Sequence, residues 1–273
     1  MDIQGSLSKL QSAPGSLVNY TLVLGAQHIA LNSLIGQPIE LKFLNKIECI
    51  ACNRLIKKSY GQGYCYPCTQ RLARCDLCIL KPQLCHFHLN TCREPIWGER
   101  HCMIPHYVYL ANTSGLKVGI TRSTQVPTRW LDQGAVQAMP ILKVKTRRLS
   151  GLIEVQLGQK FKDKTNWRKM LQQNIPKLDM AAAAQEALAL IEPGINALRI
   201  EFGNSSITPL ESLELYEFDY PIHSMPDSIK SLNLDKTPLI TGKLLGIKGQ
   251  YLILDQGVIN IRKYTGYSVR FSA

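Results

Sequence analysis

All nine cysteines of this 273-residue chain fall between Cys49 and Cys102, and their spacing limits the fold more than any other feature. The run opens with Cys49-Ile-Ala-Cys52, continues for twelve residues and resumes with Cys65-Tyr-Pro-Cys68. Two such pairs suit the tetrahedral thiolate cage of Zn²⁺, each pair presenting two sulfurs from a tight knuckle. A segment this poor in apolar residues lacks a core of its own, and a bound ion supplies the missing folding energy. Cys49, Cys52, Cys65 and Cys68 are therefore expected to hold a structural zinc ion. A redox CxxC would normally be single and precede a helix in a βαβ unit, so the doubling argues against it. Farther along, Cys75-Asp-Leu-Cys78 offers another knuckle, and Cys85, Cys92 and Cys102 add sulfurs among His86, His88, His101 and His106. The preferred second set is Cys75, Cys78, Cys92 and Cys102, with Cys85, His88 and His101 as alternatives. Closed thiolate sets leave no open coordination position, so zinc here reads as structural. Paired free thiols imply a reducing compartment, and MDIQGSLSKLQ has neither the charged start nor the apolar run of a signal peptide. A cytoplasmic location is expected, and no apolar run reaches the eighteen or so residues of a membrane span.

Charge locates a second feature. The chain carries 32 basic and 20 acidic residues, a formal net charge of +12. Residues 107–177 hold thirteen of the bases and only three acids, whereas 178–273 is net acidic. A folded segment with that imbalance repels itself, which is tolerable when a polyanion is its partner. The plainer reading is a solvated basic face.

The periodicities give an α+β organisation in five parts. Residues 1–47 alternate as strands at 18–24 and 39–44. A zinc-binding region spans 48–105. In 106–177, a hairpin of 106–111 and 116–120 is followed by a short helix between Pro127 and Gly134. A strand at 141–146 comes next, then a helix capped by Ser150 with Ile153, Leu157 and Phe161 on one face. A connector, 178–206, carries an Ala-rich helix that should stop at Pro193. Strands return in 207–273, with turns at Lys248-Gly249 and Gln256-Gly257, and these are expected to form a small barrel with the amino-terminal strands.

Tyr107-Val-Tyr109, Lys117-Val-Gly119, Arg129-Trp130 and the helical Glu154 resemble the successive elements of GIY-YIG nucleases. The order strand, strand, helix, strand, helix agrees. CREPIWGERHC (92–102), KVGITR (117–122), RWLDQGA (129–135) and DKTNWRKML (163–171) together with the cysteine block are also similar to an uncharacterised bacterial family, a domain of unknown function. The nuclease resemblance implies a phosphodiesterase in which Tyr109 orients water, Arg129 binds phosphate and Glu154 holds Mg²⁺ or Mn²⁺. Lys117 stands where the second tyrosine belongs, and Tyr107 replaces the first glycine. A lysine of ordinary pKa is a poor base at neutral pH, which favours binding over turnover. Arg122, Trp130, Lys145, Arg147, Arg148, Lys164 and Arg168 suit phosphate contact and base stacking. A nucleic-acid-binding protein is thus the first expectation, a divalent-metal endonuclease the second and a protein-interaction scaffold the third.

Overall fold

Alternating apolar residues along 38–47 and 239–248 give each stretch one inward face, and the two strands pair antiparallel with Leu239 opposite Lys42. A computed structural model of the chain describes residues 1–161 and 166–273. The chain starts with β1 (Asp2–Ser6), a meander of β2 (Gln11–Ala13), β3 (Asn19–Leu24) and β4 (Gln27–Ala30), and the long β5 (Pro38–Ile47). The Cys-rich stretch holds α1 (Tyr66–Arg71) and α2 (Pro95–His101), joined by 3-10 turns. Next come β6 (His106–Asn112), β7 (Leu116–Arg122), α3 (Thr128–Asp132), β8 (Gln137–Val144) and α4 (Arg147–Leu157), in the order the sequence predicts. After α5 (Trp167–Leu171), α6 (Met180–Phe202), β9 (Ile207–Pro209) and β10 (Tyr216–Glu217), the chain ends in β11 (Leu239–Lys248), β12 (Tyr251–Leu254), β13 (Gly257–Asn260) and β14 (Tyr267–Ser272). No helix of the described residues is long and apolar enough to cross a membrane.

The amino- and carboxyl-terminal strands share one antiparallel sheet, ordered β1-β14-β5-β11-β12-β13, but it does not close into the expected barrel. Its apolar face is covered instead. Tyr20, Leu22 and Leu24 of the β2-β3-β4 sheet bury with Leu41, Leu244, Val269 and Phe271 in one core, so closure is not needed to exclude water. The central sheet, β10-β8-β6-β7 with β9 on β8, has two buried faces. Tyr109 and Ala111 pack with Trp130 and Leu131 of α3, while Val108 and Leu110 pack with Leu149, Ile153 and Leu157 of α4.

Two helix boundaries differ from expectation. Thr146, not Ser150, caps α4, its Oγ accepting from the Leu149 amide at 3.3 Å, and Ser150 donates to the Arg147 carbonyl from inside the helix. Helix α6 runs through Pro193 to Phe202 because its buried stripe, Met180, Ala184, Ala187, Ile191, Ile195 and Leu198, keeps helical spacing past the proline. At Gly194 the end of the Gln156 side chain of α4 occupies the space a Cβ would take, with Oε1 2.1 Å from it.

Candidate functional site

The strands of the central sheet place the cleft. In the β6–β7 hairpin Tyr109 faces Gly119 and Ala111 faces Lys117. Gly119 has a steric reason: a Cβ there would stand 2.6 Å from the Tyr109 hydroxyl, so only glycine lets the ring lie across β7. Strand β7 is the sheet edge, with α3 on one face and α4 on the other. Along it runs a cleft of about 460 Å³ lined by Tyr109, Lys117, Arg129 and Glu154. Arg122, Arg147 and Arg262 line the same cleft, with Lys9 and Asp132. The four residues singled out for catalysis thus meet in one concavity.

Burial pushes the Tyr109 phenol above its ordinary value, against the pull of Arg129, which hydrogen-bonds to it; the Glu154 charge pushes it up further. The same hydroxyl donates to Gln133 Oε1 at 3.2 Å. Burial lowers the guanidinium pKa values of Arg122, Arg147 and Arg262, and the cations also repel one another, Arg147 acting on Arg122 and Arg129 on both Arg147 and Arg262. Asp132 acts the other way on Arg262. Its carboxylate is taken by Lys9 at 2.6 Å and by the Gln250 amide at 2.9 Å.

Other expected contacts lie elsewhere. Trp130 is fully buried between Tyr109, Tyr216 and Phe218, at ring separations of 5.7, 4.8 and 6.4 Å, so no base can stack on it. Lys145 donates to Ser205 Oγ, and Arg148 lies over the Phe202 ring, both outside the cleft lining. Arg168 covers Trp167, which stacks on Tyr251. Lys164 lies outside the described residues. Arg262 and Lys9 had no sequence signal, because each enters from a segment remote in the chain.

The first cysteine set is assembled. The Sγ atoms of Cys49, Cys52, Cys65 and Cys68 all lie within 4.8 Å of one another, and Cys52 and Cys65 are 3.7 Å apart. A tetrahedral ion with Zn–S bonds of about 2.3 Å needs sulfurs about 3.8 Å apart, so the four thiols are positioned to hold a metal ion and fit zinc. Desolvation would raise the Cys49 thiol, but amide hydrogen bonds from Cys65, Ala51 and Cys52 and the neighbouring Cys52 thiol bring it down to about 6. The remaining cysteines divide differently from expectation. Cys78, Cys85, Cys92 and Cys102 line one small cavity, whereas Cys75 is not on that lining and lies near Arg74, Arg93 and Glu94. His88 is exposed, and His101 stacks on Trp97 with ring centroids 4.2 Å apart.

His106, at the start of β6, is fully buried, and burial lowers its pKa to about 4, with Nδ1 against the Ile104 carbonyl. The unfolded chain therefore takes up this proton first as pH falls. Its contribution is complete above about 6.5 and is lost down to about 4, a decline of about 3 kcal/mol. Urea midpoints measured across that range should fall more steeply for wild type than for His106→Gln, and parallel curves would contradict the assignment.

Searches of curated proteins and of solved structures gave no match. The family model described as protein of unknown function, DUF2797, matches residues 36–269, which takes in the cysteine block and the whole cleft-bearing sheet. The chain belongs to this family.

Proposed function

We propose that this protein binds nucleic acid, seating backbone phosphate in the cleft along β7, and carries a structural zinc ion at Cys49, Cys52, Cys65 and Cys68. One observation carries the reading. Lys117 and Arg122 of β7, Arg129 of α3, Arg147 of α4 and Arg262 reach a single cleft, against two acids there, Glu154 and Asp132, the latter paired to Lys9. A guanidinium matches phosphate in bidentate fashion, and like charges so gathered are relieved by a polyanion. A second groove of about 640 Å³, lined by Lys57, Lys58, Lys263 and Asp235, shares Arg262 with the cleft and would extend the path of a strand. The exposed rings of Tyr60 and Tyr66, near Lys58, suit base stacking.

The test is binding of labelled single- and double-stranded DNA and RNA across a salt series. With three to five phosphates neutralised, log K should fall against log salt with a slope of about −2 to −4.5. Arg129→Ala and Arg262→Ala should each flatten that slope by about 1. A salt-independent affinity, or no binding to any probe, would end the reading.

A second reading is favoured by the company Glu154 keeps: metal-dependent phosphodiester hydrolysis. A divalent ion bound at this carboxylate would supply Lewis-acid polarisation of the phosphate. Arg129 and Arg147 would grip the non-bridging oxygens. The Tyr109 hydroxyl, fully buried between Arg129 and Gln133, would position Arg129 toward the phosphate while water attacks phosphorus and the leaving oxygen departs. Lys117 offers only donors, so it would stabilise charge on the phosphate.

A further inference from the structure

We infer that Cys78, Cys85, Cys92 and Cys102 hold a second zinc ion, and that this ion fixes the cleft wall formed by the Cys78–Cys85 loop and α4. Cys78, Cys85 and Cys102 pack together in one buried cluster. Cys92 completes the lining of a cavity of about 10 Å³. That volume is at the lower limit of what one water occupies, and four thiols offer a water poor partners. Four cysteines lining a space for a single atom, with Asp76 and His86 beside them, supply the donor set of a tetrahedral thiolate ion. Gly98 of α2 serves the same space: a Cβ there would stand 2.8 Å from the Phe87 ring and 3.2 Å from Cys92 Sγ.

Four thiolates around Zn²⁺ leave two negative charges, and the surroundings answer them. Arg147 packs beside Cys78, Cys85 and Cys102; its amide donates to the Cys102 carbonyl at 2.8 Å and its guanidinium to the Ile79 carbonyl at 2.7 Å. Its buried Nε has no hydrogen-bond partner among the described residues, which leaves a donor spare beside the sulfurs. Asp76 and His86 also approach Cys78, their ligand atoms within 4.8 Å. Asp76, however, is held by Arg93 at 2.7 Å and accepts from the Cys78 amide, so it acts as a strut around the knuckle.

The loop between Cys78 and Cys85 supplies Ile79, Leu80 and Pro82 to the cleft. It is locked onto α4 at Gly151, where a Cβ would lie 2.4 Å from the Gln83 amide nitrogen. The ion would therefore set the position of the helix that carries Arg147 and Glu154. This inference stands apart from what the cleft binds.

Metal analysis of the purified full-length chain should find two zinc ions, and X-ray absorption should show sulfur alone around both. One zinc per chain, or nitrogen or oxygen in the shell, would overturn the assignment. Cys85→Ser should retain one zinc and Cys75→Ser two; the reverse would return the site to the Cys75 set. If Cys85→Ser does not fold, Cys75→Ser decides, because loss of one zinc there would return the site to the Cys75 set. Amide exchange at 147–154 should rise at least tenfold in Cys85→Ser while β11–β14 stays protected. Unchanged exchange in α4 would remove the ion's role in the cleft wall.

Discussion

Replacing Trp130 with alanine should lower the free energy of unfolding by about 3–5 kcal/mol. The side chain is fully buried where three parts of the chain meet: Tyr109 of β6, Tyr216 of β10 and Phe218 beyond it. Alanine would leave a void lined by aromatic rings that cannot close over it. The indole Nε1 has no hydrogen-bond partner among the described residues, so part of the loss is returned when that buried donor is removed. Trp130→Phe should for the same reason cost far less than alanine. Urea unfolding with an unchanged m-value is the check, and a loss under about 1 kcal/mol for the alanine variant would show that the ring is not a core residue. Because Tyr109 packs on this indole, the alanine variant should also weaken phosphate binding, with Trp130→Phe largely restoring it.

Glu154→Ala should abolish divalent-metal-dependent cleavage while leaving nucleic-acid binding intact. Lewis-acid catalysis contributes several kcal/mol, and each 1.4 kcal/mol or so is tenfold, so a loss of about 10³ in rate is expected. Binding should hold or tighten, because the substitution removes an anion from a cationic cleft. Arg129→Ala should differ by losing both binding and rate. These paired outcomes separate the two functional readings. Cleavage equal in wild type and both variants would place the activity outside this cleft, and binding without cleavage in the wild type would leave the first reading alone.

What the sequence disclosed follows the range of the interactions involved. The Cys49–Cys68 knuckles were legible because each pair is a local turn with its ligands three residues apart. The hairpin and α3 were legible because strand alternation, Pro127 and Gly134 act on their neighbours. The end of α6 was not, since a proline's local cost is outweighed by Ile195 and Leu198 burying against other elements. Trp130 was misplaced because its composition-level neighbours are basic while its spatial neighbours are aromatic. That Cys85, the substitute ligand, lines the second cavity while Cys75 does not is a matter of tertiary packing, which spacing does not encode. Barrel closure likewise depends on what covers a sheet, and alternation marks only which face needs covering.

The large sheet has a bearing on how the protein is made. Strand β5 lies between β14 and β11, and the Leu10 amide is satisfied by Gln250, 240 residues away. During synthesis β1 and β5 must wait for the last strands to leave the ribosome, while the β2–β4 meander, the cysteine knuckles and the β6–β8 layer pair within local chain. Nascent chains halted after residue 206 should therefore carry a formed metal knuckle and an unpaired, chaperone-dependent β5.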